Sequence, residues 1–490
     1  MQPSSTSRIR GNRAITFVVL AVAATSFSLL QSLIVPVLST IQTEFDTSQA
    51  TVTWVLTGYL LSASICTPLI GRIGDVVGKT RMLTIALVVL SVGSLAAALA
   101  PSIGWLIAAR VLQGAGGGVL PLSFGIIRDE FRERMTLALS MIASLLAAGF
   151  GVGIVVAGPI VDAFGYQGLF WLPMAATLIA AVAAFLFIPE SPVRTPARLP
   201  VLPAVLLAGW LVALLLALSK GNSWGWGSPE ILGLLALAVV LSVAWILVEL
   251  RVPVPMIDMK MMRIRGVWTS NVVAGCVGFG MFASFGFLPQ LLQTPPEAGY
   301  GFGATITESG RLLLPSAVAS FLVGFAVAPL IRWVGARALI TTGLLTTGAA
   351  FVSIGLFHDQ TWQLYVATTL QGIGSGLVFS CLAGVVVRAV PAEQTGVASG
   401  MNANIRTIGG SIGAAVMAGI LTAHLTTGGY PAERGYTVGF VVLGVVMALA
   451  SLAALLIPDT HQQSSGGALA DAADGELGLV PSAGAVPPRT

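Results

Sequence analysis

The sequence is far more apolar than that of a soluble protein of this length. Of its 490 residues, 56% are hydrophobic and only 9% are charged, with a formal net charge of +4. Soluble domains carry about 25% charged residues, so a water-soluble globular protein is excluded. Disordered chains are poor in apolar residues, and outer-membrane barrels alternate apolar and polar residues. The composition therefore predicts an all-α polytopic membrane protein.

Fourteen apolar stretches are long enough to cross a bilayer, for which about 20 residues are needed. In chain order, the predicted spans are Ala14 to Leu38, Thr51 to Ile70, Met82 to Ala100, Trp105 to Ile127, Leu137 to Pro159, Leu169 to Ile188, Leu199 to Leu218, Ile231 to Val248, Val267 to Leu288, Leu312 to Ile331, Ala338 to Phe357, Trp362 to Val387, Val397 to Ala423 and Val438 to Ile457. The first stretch is too long for a secretory signal and lacks its polar break, so we predict an uncleaved anchor.

The basic residues divide unequally between the two sides of these spans. If the N-terminus is cytoplasmic, 19 of the 24 Lys and Arg residues fall in cytoplasmic segments, three fall in outer loops and two lie inside spans. The three outer residues are Lys220, Arg311 and Arg434, and the two in spans are Arg110 and Arg406. Positive residues favour the cytoplasmic side. This asymmetry predicts a multi-pass protein of the cytoplasmic membrane with both termini in the cytoplasm.

Short runs recur at a long interval. Pro-Leu-Ile occurs at 68–70 and 329–331, and Leu-Gln-Gly occurs at 112–114 and 370–372, with offsets of 261 and 258 residues. Each offset corresponds to eight spans, so two six-span halves are related and two spans are inserted between them. Parallel repeats of this kind are typical of secondary transporters. We predict an N-terminal six-helix bundle (1–195), two inserted linker helices (196–260), a C-terminal six-helix bundle (261–458) and a disordered cytoplasmic tail (459–490).

Four runs of residues are motif candidates: Gly71 to Arg81 between spans 2 and 3, Arg110 to Gly114 in span 4, the span-5 glycines followed by Pro159, and Gly396 to Gly410 in span 13. These runs resemble motifs of the major facilitator superfamily, and within it of the fourteen-span drug:proton antiporters. The likeness extends over about residues 14–458. It implies the major facilitator fold.

The run between spans 2 and 3 is expected to be a gating loop. Its residues are Gly71, Arg72, Gly74, Asp75, Gly78, Lys79 and Arg81. Glycines permit a sharp turn, and Asp75 is suited to accept hydrogen bonds from a helix N-terminus or an arginine. The resemblance implies that this loop fastens one bundle to the other and releases for inward opening. The alternative is that Arg72, Lys79 and Arg81 anchor to anionic lipid headgroups.

In span 5, an antiporter motif is formed by Gly149, Gly153, Gly158 and Pro159. Glycines permit close helix approach, and the proline favours a bend. Ordinary small-residue packing is the alternative. The motif departs from the family after Pro159, where Asp162 and Ala163 stand in place of paired glycines.

Six polar residues inside the spans are candidates for proton coupling or for lining a cavity. They are Gln31, Arg110, Gln113, Asn271, Asn404 and Arg406. A charge in the bilayer is costly unless it faces water or a partner. The resemblance implies that Arg110 tunes proton uptake or substrate release, whereas the alternative is an arginine that snorkels to the cytoplasmic interface. We expect Arg110 and Arg406 to form a positive cavity floor.

None of the twenty carboxylates lies in the middle of a predicted span, and Gln31 stands where the family often has an acidic residue. We therefore expect neutral, zwitterionic or anionic amphipathic molecules to be preferred over cations, and the proton carrier stays unassigned. Phe279, Phe282 and Phe285 either line the cavity or face lipid.

Taken together, the motifs predict a proton-coupled antiporter that exports drugs or amphipathic secondary metabolites by alternating access. An importer or uncoupled facilitator is the alternative, and a receptor or membrane enzyme is disfavoured. The three histidines and three cysteines have no metal-ligand spacing, so we expect no metal, no cofactor and no enzymatic activity. The expected partners are a small amphipathic organic substrate, protons and membrane lipids. We expect a monomer that binds no nucleic acid.

Overall fold

The computed structural model describes residues 13–190, 201–253, 255–423 and 430–458. Every predicted span is found as a helix, so we number the spanning helices α1 to α14. Their bounds are Arg13–Ser32, Gln49–Val77, Lys79–Ala98, Ile103–Gln113 continued through Gly114–Gly118 to Val119–Glu130, Met135–Phe164, Gly168–Phe187, Val201–Trp224, Pro229–Glu249, Arg265–Gln293, the two parts of Ile306–Leu356, Thr361–Ala389, Thr395–Thr422 and Glu433–Ala454. Short helices occupy Val35–Val37, Leu38–Glu44, Arg132–Arg134, Met259–Met262, Pro296–Ala298 and Ala392–Gln394.

The segment Ile306–Leu356 contains two spanning helices. A straight helix of its 51 residues would be about 76 Å long, more than twice the hydrocarbon thickness. The chain turns at Gly335, where φ is 82° and ψ is 157°. Residues 306–334 therefore form α10 and residues 336–356 form α11. With this division, the thirteen long apolar helices of the described chain become fourteen.

Local sequence signals set several helix ends. Ser102 accepts a hydrogen bond from the backbone amide of Trp105 at the start of α4, and Thr305 with Glu308 forms a capping box at the start of α10. These side chains satisfy amides that have no partner within the helix. The turn from α2 to α3 is made by Gly78, with φ 126°. Gly78 and Gly335 stand at matching places of the sequence repeat, and both have a φ that favours glycine.

The apolar cores follow the repeat. One large cluster lies mainly in α9 to α14, which we call the second half. Two further clusters lie mainly in α1 to α6, the first half. Helices α7 and α8 pack on each other through Trp210 and Trp245, whose rings are 6.1 Å apart, and α7 contributes Leu207 and Leu211 to a cluster shared with α13. The insert therefore lies against α13 of the second half and against α2 of the first half, where Thr57 Oγ1 and Ser219 Oγ are 3.2 Å apart.

The four-part domain division stays a prediction. Its first boundary, at 195, and its tail, 459–490, lie outside the described residues. The structure does correct one detail of the sequence interpretation. Residues 71–77 are not a loop, because α2 continues to Val77, and the whole reversal takes place at Gly78.

We predict that Gly335→Ala destabilises the protein. An alanine held at this φ and ψ is strained, so the free energy of unfolding should fall by about 1–3 kcal/mol. The apparent melting temperature of the purified protein in detergent measures the change. Gly104→Ala is the matched control, since a Cβ there meets nothing within 4 Å. Equal melting temperatures for the two variants would contradict the assignment of the turn to Gly335.

Candidate functional site

Two adjoining cavities lie between the first and second halves. The larger has a volume of about 660 Å³ and is lined mainly by α1, α2, α9 and α13, toward the predicted outer face. The smaller, about 90 Å³, lies deeper and is also lined by α4, α5 and α12. The residues that line both are Gln31, Leu60, Phe150, Phe282 and Phe285. The two cavities therefore form one path that leads inward from the predicted outer face.

At the predicted cytoplasmic face, hydrogen bonds join the two halves. The guanidinium of Arg128 in α4 donates to the carbonyls of Val387 at 2.8 Å and Val390 at 2.7 Å, and to Thr395 Oγ1 at 2.7 Å. In the opposite direction, Arg388 in α12 of the second half donates to Thr136 Oγ1 in α5 of the first half at 2.6 Å. We call these bonds, together with the Asp75 contact described next, the closure contacts. They close the path on this side.

Asp75 faces the first turn of α13. Its side chain is 1% exposed and lies beside the backbone amide of Val397. A Cβ built on Gly396 would be 3.0 Å from each carboxylate oxygen. The positive end of a helix dipole attracts a carboxylate. Asp75, from the first half, is therefore held against a helix of the second half, which is one of the two partners expected from the sequence.

Close packing explains why Gly71 and Gly74 carry no side chain. A Cβ on Gly71 would be 2.7 Å from the carbonyl oxygen of Gly396, and a Cβ on Gly74 would overlap the side chain of Leu122. Gly71 and Gly74 therefore serve packing and not turning. Only Gly78 has the conformation expected of a loop glycine.

The basic residues near this turn have different environments. Lys79 is 1% exposed and its Nζ is 2.8 Å from Asp129 Oδ2. Arg72 is 7% exposed and donates to the carbonyl of Pro255 at 3.4 Å. Arg81 alone of the three is exposed, at 65%, with Nε 3.6 Å from Glu190. Anchoring to lipid headgroups is therefore wrong for Arg72 and Lys79, because neither side chain reaches the surface.

Arg110 is completely buried inside the first half. It donates to the carbonyls of Val55 at 3.0 Å and Leu30 at 3.2 Å, and to Gln113 Oε1 at 2.6 Å. Its guanidinium carbon lies 4.3 Å from the ring centre of Tyr59. The expectation that Arg110 forms part of the cavity floor is wrong, as is the snorkelling alternative. Backbone carbonyls of α1 and α2 and the side-chain oxygen of Gln113 stabilise this charge, and Nη2 has no hydrogen-bond partner among the described residues.

Three other polar candidates also lie away from the cavities. Gln113 is buried and donates to Ser94 Oγ at 3.0 Å. Asn271 Oδ1 accepts from Asn402 at 3.0 Å. Asn404 is 1% exposed, and its amide has no hydrogen-bond partner in the described chain. None of Gln113, Asn271 and Asn404 lines either cavity, so the expected cavity placement is wrong for them.

Arg406 does line the smaller cavity. Its side chain is partly exposed, and its guanidinium carbon is 5.1 Å from the ring centre of Phe379 in α12. Among the described residues that line the two cavities, Arg406 is the one charged side chain. Of the six polar candidates, only Gln31 and Arg406 reach the cavities.

Aromatic side chains surround the deeper part of the path. Phe150 is 5.9 Å from Phe282 and 4.8 Å from Phe285, between ring centres. Phe282 and Phe285 therefore face the cavity, whereas Phe279 does not line it. The spacing of three residues between these phenylalanines did not predict which of them line the cavity. Phe150 and Phe379 were missed by the sequence interpretation, although Phe150 lies inside the span-5 motif.

The glycines of α5 pack against helices on two sides. A Cβ on Gly149 would be 3.3 Å from Ser28 Cβ in α1, and one on Gly153 would overlap Ser32 of the same helix. On the other side, a Cβ on Gly158 would be 2.5 Å from Thr307 Oγ1 in α10. Pro159 lies inside the helix near its predicted outer end. The motif thus places α5 in close contact with both halves.

No group of three or more His, Cys, Asp or Glu residues in the described chain is arranged to hold a metal ion.

Comparison with known proteins identifies the family. The Major Facilitator Superfamily profile matches residues 20–414 and 271–483. The methylenomycin A resistance protein of Streptomyces coelicolor is 31% identical over 425 residues, which are 85% of this chain and 86% of the relative. The tetracenomycin C resistance and export protein of Streptomyces glaucescens is 27% identical over 423 residues, 85% of this chain and 77% of the relative.

Another relative moves a different kind of molecule. The uridine/deoxyuridine transporter of Lactococcus lactis is 26% identical over 472 residues, 94% of this chain and 97% of the relative. Among solved structures, the human organic anion transporter MFSD10 superposes with a TM-score of 0.61 at 17% identity, over 90% of this chain and 98% of that chain. The predicted fold, an all-α polytopic membrane protein of the major facilitator type, is confirmed. The chain belongs to the Major Facilitator Superfamily and is a multi-pass membrane transporter and not an enzyme.

Proposed function

We propose that this protein exports small amphipathic organic molecules across the cytoplasmic membrane in exchange for protons, by alternating access. One observation carries the proposal. A path between the two halves reaches inward from the predicted outer face and is closed at the predicted cytoplasmic face. This is the outward-facing geometry of an alternating-access carrier. The names of the methylenomycin A and tetracenomycin C resistance proteins support export as the direction.

The closure contacts are the elements that must break for the inward-facing state. They consist of a few hydrogen bonds from Arg128 and Arg388 and the attraction of Asp75 to α13. The helices touch there through glycine backbones, as Gly71 and Gly396 do. Because Gly71 and Gly396 have no side chains, nothing interlocks at this contact, and it separates without repacking. This supports a gating role for the α2–α3 turn.

Proton coupling supplies the energy in this proposal. One proton that crosses 100 mV releases about 2.3 kcal/mol, enough for a concentration ratio of about fiftyfold. No carboxylate of the described chain lines either cavity. Asp75 is buried at the closure, beside Arg72 and Lys79, so we assign the proton-dependent step to Asp75. Arg110 acts indirectly in this scheme, because it braces α1, α2 and α4.

A second candidate function is import or uncoupled transport of a small polar solute. The uridine/deoxyuridine transporter relative favours it, as does the neutral amide of Gln31 in both cavities. Everted membrane vesicles distinguish the two functions. Export from cells appears there as uptake that requires an imposed proton gradient, whereas uncoupled transport runs down the solute gradient alone.

We expect cells that produce the protein to export at least one dye from a panel of neutral, anionic and cationic fluorophores. A protonophore should abolish the export, since it removes both the pH gradient and the membrane voltage. Dye retention is followed by fluorescence, with cells lacking the protein as the control. Export of the same dye at an unchanged rate after the proton gradient has collapsed would refute the coupling.

We expect Asp75→Asn to open the predicted cytoplasmic face. A carboxylate at a partly buried helix N-terminus contributes up to ~2 kcal/mol, so the open population should rise by up to about thirtyfold. Val386→Cys, in a background without the three native cysteines, reports this opening, because Val386 lines the smaller cavity. An impermeant maleimide is applied to everted vesicles. Glu130→Gln also removes one carboxylate from that face and should leave the labelling rate unchanged; equal rates for the two variants would disprove a role for Asp75 in closure.

Both termini are expected in the cytoplasm. A green fluorescent protein fused to either end should fluoresce, and an alkaline phosphatase fused to either end should be inactive. A phosphatase fused in the loop that contains Lys220 should be active, since this loop is assigned to the outer side. Opposite locations for the two termini would contradict the span count and the assignment of the cavity to the outer face.

A further inference from the structure

Arg406 differs from Arg110 and Arg128 in its hydrogen bonding within the described chain. Arg110 and Arg128 each donate hydrogen bonds to backbone carbonyls of neighbouring helices. Arg406 has a ring contact with Phe379, but within the described chain it forms no ion pair and no hydrogen bond. A guanidinium has five N–H donors. In Arg406 they face the cavity.

The position of this guanidinium is fixed by its surroundings. Phe379 supports it from α12 at 5.1 Å. Behind it, the Arg406 backbone touches Gly278 of α9 so closely that a Cβ at Gly278 would overlap the carbonyl. A neighbouring α13 glycine, Gly409, meets Gly275 of α9 in the same way. The arginine is therefore presented from a rigid helix pair, which is the condition for a preorganised site.

A second polar group faces the same cavity without a partner. Ser399 is 4% exposed, its Oγ has no hydrogen-bond partner in the described chain, and it lines the smaller cavity together with Asn402 and Arg406. Residues three, four and seven apart share one face of a helix. Ser399, Asn402 and Arg406 thus form a polar stripe along α13. A buried hydroxyl without a partner is a place where a ligand oxygen or water gains a hydrogen bond.

The rest of the lining of the same space is largely aromatic and apolar. It carries Phe27, Phe124, Phe150, Phe282 and Phe285. The adjoining larger cavity, about 660 Å³, falls in the range of sites for drug-sized molecules. The path therefore accommodates a molecule with an apolar body along the phenylalanines and one polar group at the inner end.

From this geometry we propose that the transported substrate is an amphipathic organic monoanion, and that its carboxylate pairs with Arg406 while its apolar body packs against the phenylalanines. The proposal rests on the export function proposed above and narrows its substrate class. A planar carboxylate matches the fork of a guanidinium in a bidentate pair. A cation would meet Arg406 with no carboxylate among the described cavity residues to offset the repulsion.

Three pyrene compounds that share one apolar body test this directly. They are pyrenebutyrate, its neutral primary amide and a pyrenylbutyl ammonium. Binding is measured by fluorescence anisotropy on the purified full chain in nanodiscs of zwitterionic lipid only. We expect the parent protein to bind the carboxylate about tenfold or more tightly than the amide, as a charge-assisted pair implies, and to bind the ammonium weakest.

Arg406→Gln should abolish the preference for carboxylate over amide and leave affinity for the amide unchanged. Arg406→Lys should retain part of the preference, since it keeps the charge and loses the fork. Arg332→Gln, which removes one exposed arginine, is the matched control and should behave as the parent. Unchanged amide binding also confirms that each variant is folded.

The outcomes separate the two proposals. No binding of pyrenebutyrate, preference for the ammonium, or a preference that survives Arg406→Gln would overturn the monoanion assignment. Displacement of pyrenebutyrate by added phosphatidylglycerol would overturn it in favour of a lipid headgroup. In proteoliposomes, proton-driven transport of the ammonium alone would retain the export function and reject the monoanion, whereas tight carboxylate binding with no transport under any gradient would reject the export function.

Discussion

Hydrocarbon solvates neither a peptide group nor a charge, and this constraint underlies the whole molecule. It makes every span a helix, because only a helix satisfies its own backbone within the membrane. It also decides what becomes of each arginine that enters the bilayer. Arg110 is stabilised by the carbonyls of Leu30 and Val55, and so its charge holds three helices together. The polar candidates inside the spans differ accordingly. Arg110, Gln113 and Asn271 belong to hydrogen-bond networks, and Gln31 and Arg406 line the cavities. The buried amide of Asn404 has no partner among the described residues.

Glycine is the second means by which the fold is assembled. Helices from different halves approach each other backbone to backbone at Gly71 and Gly396. Within the second half, Gly409 and Gly413 meet α9 in the same manner. The absence of a Cβ gives dispersion contacts over a wide area and permits weak interhelical hydrogen bonds. At the contact of Gly71 with Gly396 no side chains interlock, so tight packing and relative movement are compatible there.

The sequence predicted those features that depend on period and composition. All fourteen spans were predicted from apolar runs. The repeat aligns Gly78 with Gly335, and both glycines make a turn with positive φ. The sequence did not predict which face of a helix a polar residue occupies. Arg110 and Arg406 both lie well inside apolar runs, yet one is enclosed by its own bundle and the other lines a cavity. That difference arises from helix rotation and from partners distant in the chain, neither of which leaves a local pattern in so uniformly apolar a sequence.

Helix α13 unites two regions that the sequence interpretation treated separately. Its first turn receives Asp75 at Val397, and Arg406 stands about 14 Å farther along the same axis at 1.5 Å per residue. No proline or non-helical residue interrupts the helix between them. Because the helix is continuous, a rigid-body displacement of α13 at Val397 also displaces Arg406. Coupling between the smaller cavity and the closure contacts then requires no chain of side-chain contacts. Its strength depends on the stiffness of α13.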